Sequence, residues 1–188
     1  MENHLQNELE RISKLPVSRQ QIELAALISE KFKDRGIVSV VVGGAAVAFY
    51  SKEAYTTADV DIVLAGDTKK DIEEIMSSLG FTRTSTYRHF EHPLYSFVVE
   101  FPPSPVQVGG KIIEKVNEID LGKRKVKIIR IEDIIMDRII AGVEWRDKQS
   151  VAQAKLLWQT NKEQIDHKYL TKFAKNEGYQ KKLKEIVG

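Results

Sequence analysis

The 188-residue chain contains no cysteine, which excludes disulfide staples and thiolate metal sites and leaves oxygen and imidazole ligands for any metal. It has only five prolines, no repeat, no low-complexity tract and no long linker, so it reads as one compact domain or one domain with a small appendage. A chain of this size buries roughly 70% of its unfolded surface on folding, enough for a full core without covalent help. Long apolar runs are missing too. The stretch 38–48 is about half of the ~20 residues that a membrane span requires, and residues 1–11 are polar rather than a signal peptide. The expectation is a soluble, cytoplasmic protein with no membrane partner. Strong charge of one sign is also absent, with 29 Lys and Arg against 27 Asp and Glu and a formal net charge of +2.

That balance conceals a partition. Residues 111–130 carry seven basic and three acidic side chains, and residues 151–188 carry eight lysines and four acids, so each segment is +4 and the remainder −6. Such a pattern fits solvated Lys-rich faces or an acidic pocket beside basic surfaces.

Hydrophobic periodicity supplies the elements. Leu5, Leu9 and Ile12 mark a short first helix. Ser18 with Gln21 reads as a capping box, with Val17 placed to staple onto Ile22, and predicts a helix over 19–33 that stops at Gly36. The β-branched run 37–42 reads as a strand covered on both faces, Gly43-Gly44 as a turn, and 45–51 as a short helix. A second strand is expected over 60–64, then a helix capped by Thr68 with Ile72, Ile75, Met76 and Leu79 on one face. Strands over 81–87 and 94–101 follow, and residues 116–121 and 125–129 form a hairpin opened by Gly122. From Ile131 onward the pattern is helical, with two to four terminal helices.

Chemistry concentrates in residues 41–64. In a strand, Asp59 and Asp61 point to the same face with Cα atoms about 6 to 7 Å apart. Two carboxylates so placed repel and raise each other's pKa unless a cation or water intervenes. A divalent ion with oxygen ligands is the natural solution, and such a pair can bridge two Mg²⁺ ions as in phosphoryl transfer. A glycine turn running from a strand into a helix N-terminus presents N–H groups to an anion. Taken alone, Asp-x-Asp is also common strand-end decoration and Gly-Gly a common ligand-free turn. Together, Gly43 and Gly44 can hold a triphosphate and the aspartates its metal ions, with Thr57 placed to orient a carboxylate or touch a phosphate. Glu100, in an otherwise apolar strand, is expensive unless paired or metal-bound, and can serve as third ligand or as base. Arg88, His89 and His92 are expected in a turn between strands, and Asp137, Arg138, Arg146 and Asp147 as surface ion pairs, with Arg138 alternatively facing the cleft. Trp158, Tyr169, Phe173 and Tyr179 read as core.

Gly43-Gly44, twelve intervening residues, Thr57-Ala58-Asp59-Val60-Asp61 and a later strand carboxylate resemble the nucleotidyltransferase superfamily of polymerase-beta-like fold. The tail IRIEDIIMDRIIAG, followed by a helix after Trp145-Arg146-Asp147, resembles small prokaryotic members, including the AbiEii-like group of toxin–antitoxin systems. The resemblance implies an α+β fold: a mixed β-sheet flanked by helices over residues 1–130 and a C-terminal helical segment over 131–188. It implies phosphate contact at Gly43 and Gly44, metal ligation at Asp59 and Asp61 with Glu100 as third acid, Mg²⁺ or Mn²⁺ as cofactor and an NTP such as ATP as substrate. The acceptor would be RNA, a protein or a small molecule, and a cognate partner protein is implied by the toxin–antitoxin likeness. Two positions depart from the family pattern: Gly44 stands where many members carry Ser, and Glu100 where Asp is commoner. Two alternatives stay open, a catalytically inactive nucleotide- or partner-binding protein of the same fold, and an RNA-binding module built on Lys123, Arg124, Lys125 and Lys127.

Overall fold

The computed structural model describes residues 2–52, 54–66 and 69–188. Two helices, α1 (Glu2–Ser13) and α2 (Val17–Lys33), lead into strand β1 (Ser39–Val42), which passes without a loop into α3 (Gly43–Tyr50). Then come β2 (Asp59–Leu64), α4 (Lys69–Ser78), β3 (Thr82–Arg83), β4 (His89–Glu91) and β5 (Val98–Glu100). A small hairpin, β6 (Gln107–Val108) and β7 (Lys111–Ile112), precedes β8 (Val116–Asp120) and β9 (Lys125–Ile129). Helices α5 (Ile131–Glu144), α6 (Lys148–Asn161), α7 (His167–Asn176) and α8 (Gln180–Val187) end the chain. Among the described residues no helix is long and apolar enough to cross a membrane.

Seven strands form one mixed sheet in the order β3-β4-β5-β2-β1-β9-β8. β1 runs antiparallel to β2 and parallel to β9, and β2 runs parallel to β5. The registers align Val41 with Ile62 and Ile128, and Val60 with Val99, so these five aliphatic side chains share one face. All five are wholly buried, and α2 packs across β1, β2 and β9. Each such burial contributes roughly 1.5–3 kcal/mol. The alternation that buries this face turns Asp59, Asp61 and Glu100 to the other.

The capping box at Ser18 and Gln21 does not form. Pro16, with φ −55°, is the N-cap of α2 and makes no side-chain cap bond, because its ring offers no acceptor to the first-turn N–H groups. Val17 is exposed rather than stapled. Gln20 closes the α1–α2 turn by donating to the Ser13 and Leu15 carbonyls at 2.9 and 2.7 Å, and Gln21 turns inward. The expected cap Thr68 lies outside the described residues, but Ile72, Ile75, Met76 and Leu79 are buried as one face.

The expected strand over 81–87 shrinks to two residues, because the chain turns at Thr84 to Thr86 and returns as β4, where the sequence predicts a turn. The expected strand over 94–101 narrows to β5, since His92 makes a turn in which its Nδ1 accepts from the Leu94 N–H at 3.2 Å. The β6–β7 hairpin around Gly109-Gly110 was also unanticipated. Its strands are two residues long, too short to show alternation. The β8–β9 hairpin forms as expected, with the Gly122 N–H bonded to Asp120 at 2.7 Å. Four terminal helices follow, and Ile131, Ile134, Ile135 and Ile139 are buried as the predicted stripe. Phe173 is core, while Trp158, Tyr169 and Tyr179 pack against it half-buried.

Candidate active site

The site grows from the meeting of β1, β2 and β5. Register sets Val42 opposite Asp61 and Asp61 opposite Glu100, and on the far side β4 sets His89 opposite Glu100. One row across four strands therefore carries Asp61, Glu100 and His89, with Asp59 two residues earlier on the same face. All four are partly exposed at the strand ends, next to the start of α3.

Gly43 and Gly44 do more here than leave backbone donors bare. Gly43 sits at φ +60°, and a Cβ there would lie 2.8 Å from Asp61 Cγ and closer still to Oδ2. A Cβ at Gly44 would lie 2.8 Å from Thr57 Cβ, with Oγ1 nearer. Real Cβ atoms do not approach so closely, so the two glycines make room for Asp61 and Thr57. Thr57 is held from two sides: its carbonyl accepts from Gln21 Nε2 at 2.8 Å, and its Oγ1 accepts from the Asp59 N–H at 3.4 Å. Gln21, expected in a capping box, instead braces Thr57 from 36 residues away.

Burial pushes the Asp61 carboxyl up to about 6, and repulsion from Glu100 and then Asp59 adds to it, while the Gly44 N–H and the Arg138 charge pull it down. Arg138, on α5, lies near enough for its charge to lower the Asp61 pKa, and its guanidinium forms the expected ion pair with Asp137. It also reaches Gln153 at 3.4 Å. Glu100 is engaged: His89 Nε2 lies 3.1 Å from its Oε2.

The expected loop cluster of Arg88, His89 and His92 separates. His89 enters β4 and faces Glu100. Arg88, at φ +63°, donates from Nη1 to the Phe101 carbonyl at 3.3 Å. His92 is buried among Phe81 and Tyr95, which lowers its pKa by desolvation, and it plays a packing role. Asp147 is the N-cap of α6, accepting from the Gln149 N–H at 2.9 Å and Ser150 Oγ at 2.6 Å, rather than a partner for Arg146.

Among the described residues no three His, Cys, Asp or Glu side chains converge closely enough to cage a metal ion. Asp59, Asp61 and Glu100 nevertheless supply oxygen donors, the type that a hard divalent cation takes. Three carboxylates share one face, and the innermost is driven towards protonation by burial and by its two anionic neighbours, the imbalance that an oxygen-ligated cation relieves.

The basic hairpin is largely neutralised within the molecule. Arg124 pairs with Glu8 and Glu30 at 2.7 Å each, Lys123 with Glu8 at 3.5 Å and Lys125 with Glu118 at 3.1 Å. This removes most of the free positive surface that the RNA-binding alternative requires.

By sequence, no family model and no curated protein matches the chain. Solved structures match it in shape. An antigenic nucleotidyltransferase-like protein from Paracoccidioides brasiliensis superposes with a TM-score of 0.57 at 15% identity, over 96% of this chain and 92% of that one. The antibiotic-resistance factor ANT(2'')-Ia in solution gives 0.54 at 16% identity, over 86% of this chain and 97% of that one. Crystalline ANT(2'')-Ia in complex with adenylyl-2''-tobramycin gives 0.57 at 14% identity, over 86% and 98%. At these identities the likeness establishes architecture: the chain has a nucleotidyltransferase-like α+β fold with C-terminal helices.

Proposed function

We propose that the protein is a metal-dependent nucleotidyltransferase, moving a nucleoside monophosphate from an NTP such as ATP to an acceptor hydroxyl and releasing pyrophosphate. The observation that carries this reading is the row Asp61–Glu100 with Asp59 on the same sheet face, abutting Gly43-Gly44 at the start of α3, in a fold shared with nucleotidyltransferases. Asp59, Asp61 and Glu100 would hold Mg²⁺ or Mn²⁺, which when bound offsets triphosphate charge and acidifies the acceptor hydroxyl. Gly43 and Gly44, with Thr57 beside them, receive the β and γ phosphates at the positive end of α3. Glu100 accepts the proton of the acceptor hydroxyl, and His89 holds its carboxylate in place. The acceptor oxygen then bonds to the α-phosphorus as the bond to pyrophosphate breaks. Positioning and charge compensation, including that from Arg138, do the work, and no covalent enzyme intermediate is needed.

The division into a core over 1–130 and a helical segment over 131–188 belongs to the same proposal. So does a cytoplasmic location, where NTPs are at hand. A small-molecule hydroxyl is the acceptor favoured by the likeness to ANT(2'')-Ia, with RNA or protein acceptors to be tried beside it. A toxin–antitoxin setting with a cognate partner protein rests on the tail resemblance alone.

A second reading, a catalytically inactive nucleotide- or partner-binding protein of the same fold, is favoured by one contact: Glu100 is taken by His89. Incubation with each α-labelled NTP, Mg²⁺ and a pool of RNA, protein and small polyhydroxylated acceptors separates the two. Label passing to an acceptor supports the enzyme. NTP binding without transfer to any of them supports the second reading, and neither binding nor transfer sinks both.

A further inference from the structure

Thr57 stands where the acidic row and the glycine turn meet. Its Oγ1 accepts from the Asp59 N–H, and its side chain fills the space that a Cβ on Gly44 would need. Little in the local chain holds it there. Residues 54–58 form neither helix nor strand, and Thr57 lies two residues before β2 begins. The sheet grips the acids unequally. Asp61 is registered on both sides, with Val42 and Glu100, whereas Asp59 is registered with Val98 of β5 alone because β1 ends opposite Asp61.

The missing constraint comes from α2. Gln21 is 1% exposed, and its Nε2 donates to the Thr57 carbonyl at 2.8 Å from 36 residues away. Its neighbours Ile22, Leu24 and Ala25 are buried in the core, so the amide is mounted on a rigid element. Among the described residues its Oε1 meets no donor, so the polar end of this side chain is committed to one bond. That bond also fixes the amide's sense, since turning it over would set Oε1 against the Thr57 carbonyl oxygen. A buried acceptor without a donor costs stability, a cost that an apolar side chain of the same length would not carry. What the amide supplies is a fixed position for Thr57.

We propose that Gln21 is a positioning residue of the metal–nucleotide site, acting through Thr57 to set Asp59 against the start of α3. The proposal rests on the nucleotidyltransferase reading. Releasing Thr57 should loosen Asp59 while the sheet keeps Asp61 and Glu100 in place, so metal–nucleotide binding weakens without loss of the fold. Groups that orient metal ligands are typically worth about 10- to 100-fold in metal affinity.

The test measures Mn²⁺ affinity by electron paramagnetic resonance with a non-hydrolysable ATP analogue, beside amide resonances and urea denaturation of each full-length protein. Gln21→Met keeps the length and removes the donor, and Gln21→Asn keeps the amide but is one methylene too short to reach. Each should weaken Mn²⁺ binding about tenfold or more. Each should shift the amide resonances of residues 57–59, leave those of 61–63 and 99–100 in place, and keep a urea midpoint close to the parent's. Added to Thr57→Val, Gln21→Met should cost clearly less than it does alone, because both act on one path. Ser29→Ala removes a buried hydroxyl eight residues further along α2, about 12 Å at the helical rise, and should change none of these. Parental Mn²⁺ affinity in both Gln21 variants would overturn the positioning role and leave the nucleotidyltransferase reading standing. So would a loss that follows a lowered urea midpoint in both, or independent effects of Gln21→Met and Thr57→Val. A parent that binds no Mn²⁺ with the analogue overturns both readings together.

Discussion

Asp61 on β2 occupies the space that a side chain at Gly43 would need, so the glycine turn and the carboxylate are one packed unit. The Gly44 N–H lies near enough to the same carboxylate to pull its pKa down. Gly43→Ala should therefore do two things at once. It strains a backbone held at φ +60°, which costs about 1–2 kcal/mol for a residue with a Cβ, and it displaces Asp61. Urea denaturation should show at least that loss, and any nucleotidyl transfer should fall below detection. Full activity in a stable Gly43→Ala protein would contradict the packing account.

The pH dependence of stability follows from Asp61. Its folded pKa is raised from 3.8 to about 6, so between these values the folded protein holds a proton that the unfolded chain releases. Its contribution to stability is greatest below pH 3.8 and is lost as pH rises through about 6. The shift corresponds to roughly 3 kcal/mol between the two limits. In metal-free buffer, Asp61→Asn should remove this slope and be the more stable protein above pH 7, as read by denaturation at a series of pH values.

Glu8 works in the opposite sense. Hydrogen bonds from Arg11, against the opposing effect of burial, hold its carboxyl at about 2, with Arg124 adding to the pull. That stability is present above the ordinary carboxylate value of 4.5 and is lost as pH falls towards 2. Arg124→Ala leaves Glu8, whose side chain is only 8% exposed, short of a partner and should cost about 1–3 kcal/mol at neutral pH. A variant as stable as the parent at pH 7 would show that the α1–hairpin clasp is decorative.

His89 tests whether a positioning contact matters to the chemistry. Groups that hold a metal-ligating or basic side chain in place are typically worth about 10- to 100-fold in activity or metal affinity. His89→Ala should lower kcat by that factor, with KM for the NTP little changed and urea stability within about 0.5 kcal/mol of the parent. A drop confined to KM, or none, would remove Glu100's neighbour from the mechanism.

Much of this architecture is legible in the sequence, for reasons that differ by element. β1 and β2 announce themselves because continuous Val and Ile runs fit only strands covered by helices. The acids stand out because alternation forces Asp59 and Asp61 to one face. The same alternation placed Glu100 correctly even though its strand is shorter than expected. His89 escaped because β4 is three residues long and follows a turn, leaving no periodicity to read. Gln21 escaped because its spacing from Ser18 mimics a capping box, a local pattern that Pro16 overrides and that a contact 36 residues away exploits. The hairpin's basic character is visible, but its neutralisation by Glu8 and Glu30 depends on two helices more than ninety residues earlier.

The central claim is that Asp59, Asp61 and Glu100 act together as ligands for divalent ions beside an NTP. It is tested most directly by counting Mn²⁺ bound in the presence of a non-hydrolysable NTP analogue, by electron paramagnetic resonance, in the parent and in Asp59→Asn, Asp61→Asn and Glu100→Gln. The account predicts nucleotide-dependent Mn²⁺ binding in the parent that each single substitution weakens and Asp61→Asn abolishes. Equal Mn²⁺ binding in all four proteins, or none in the parent, would contradict it.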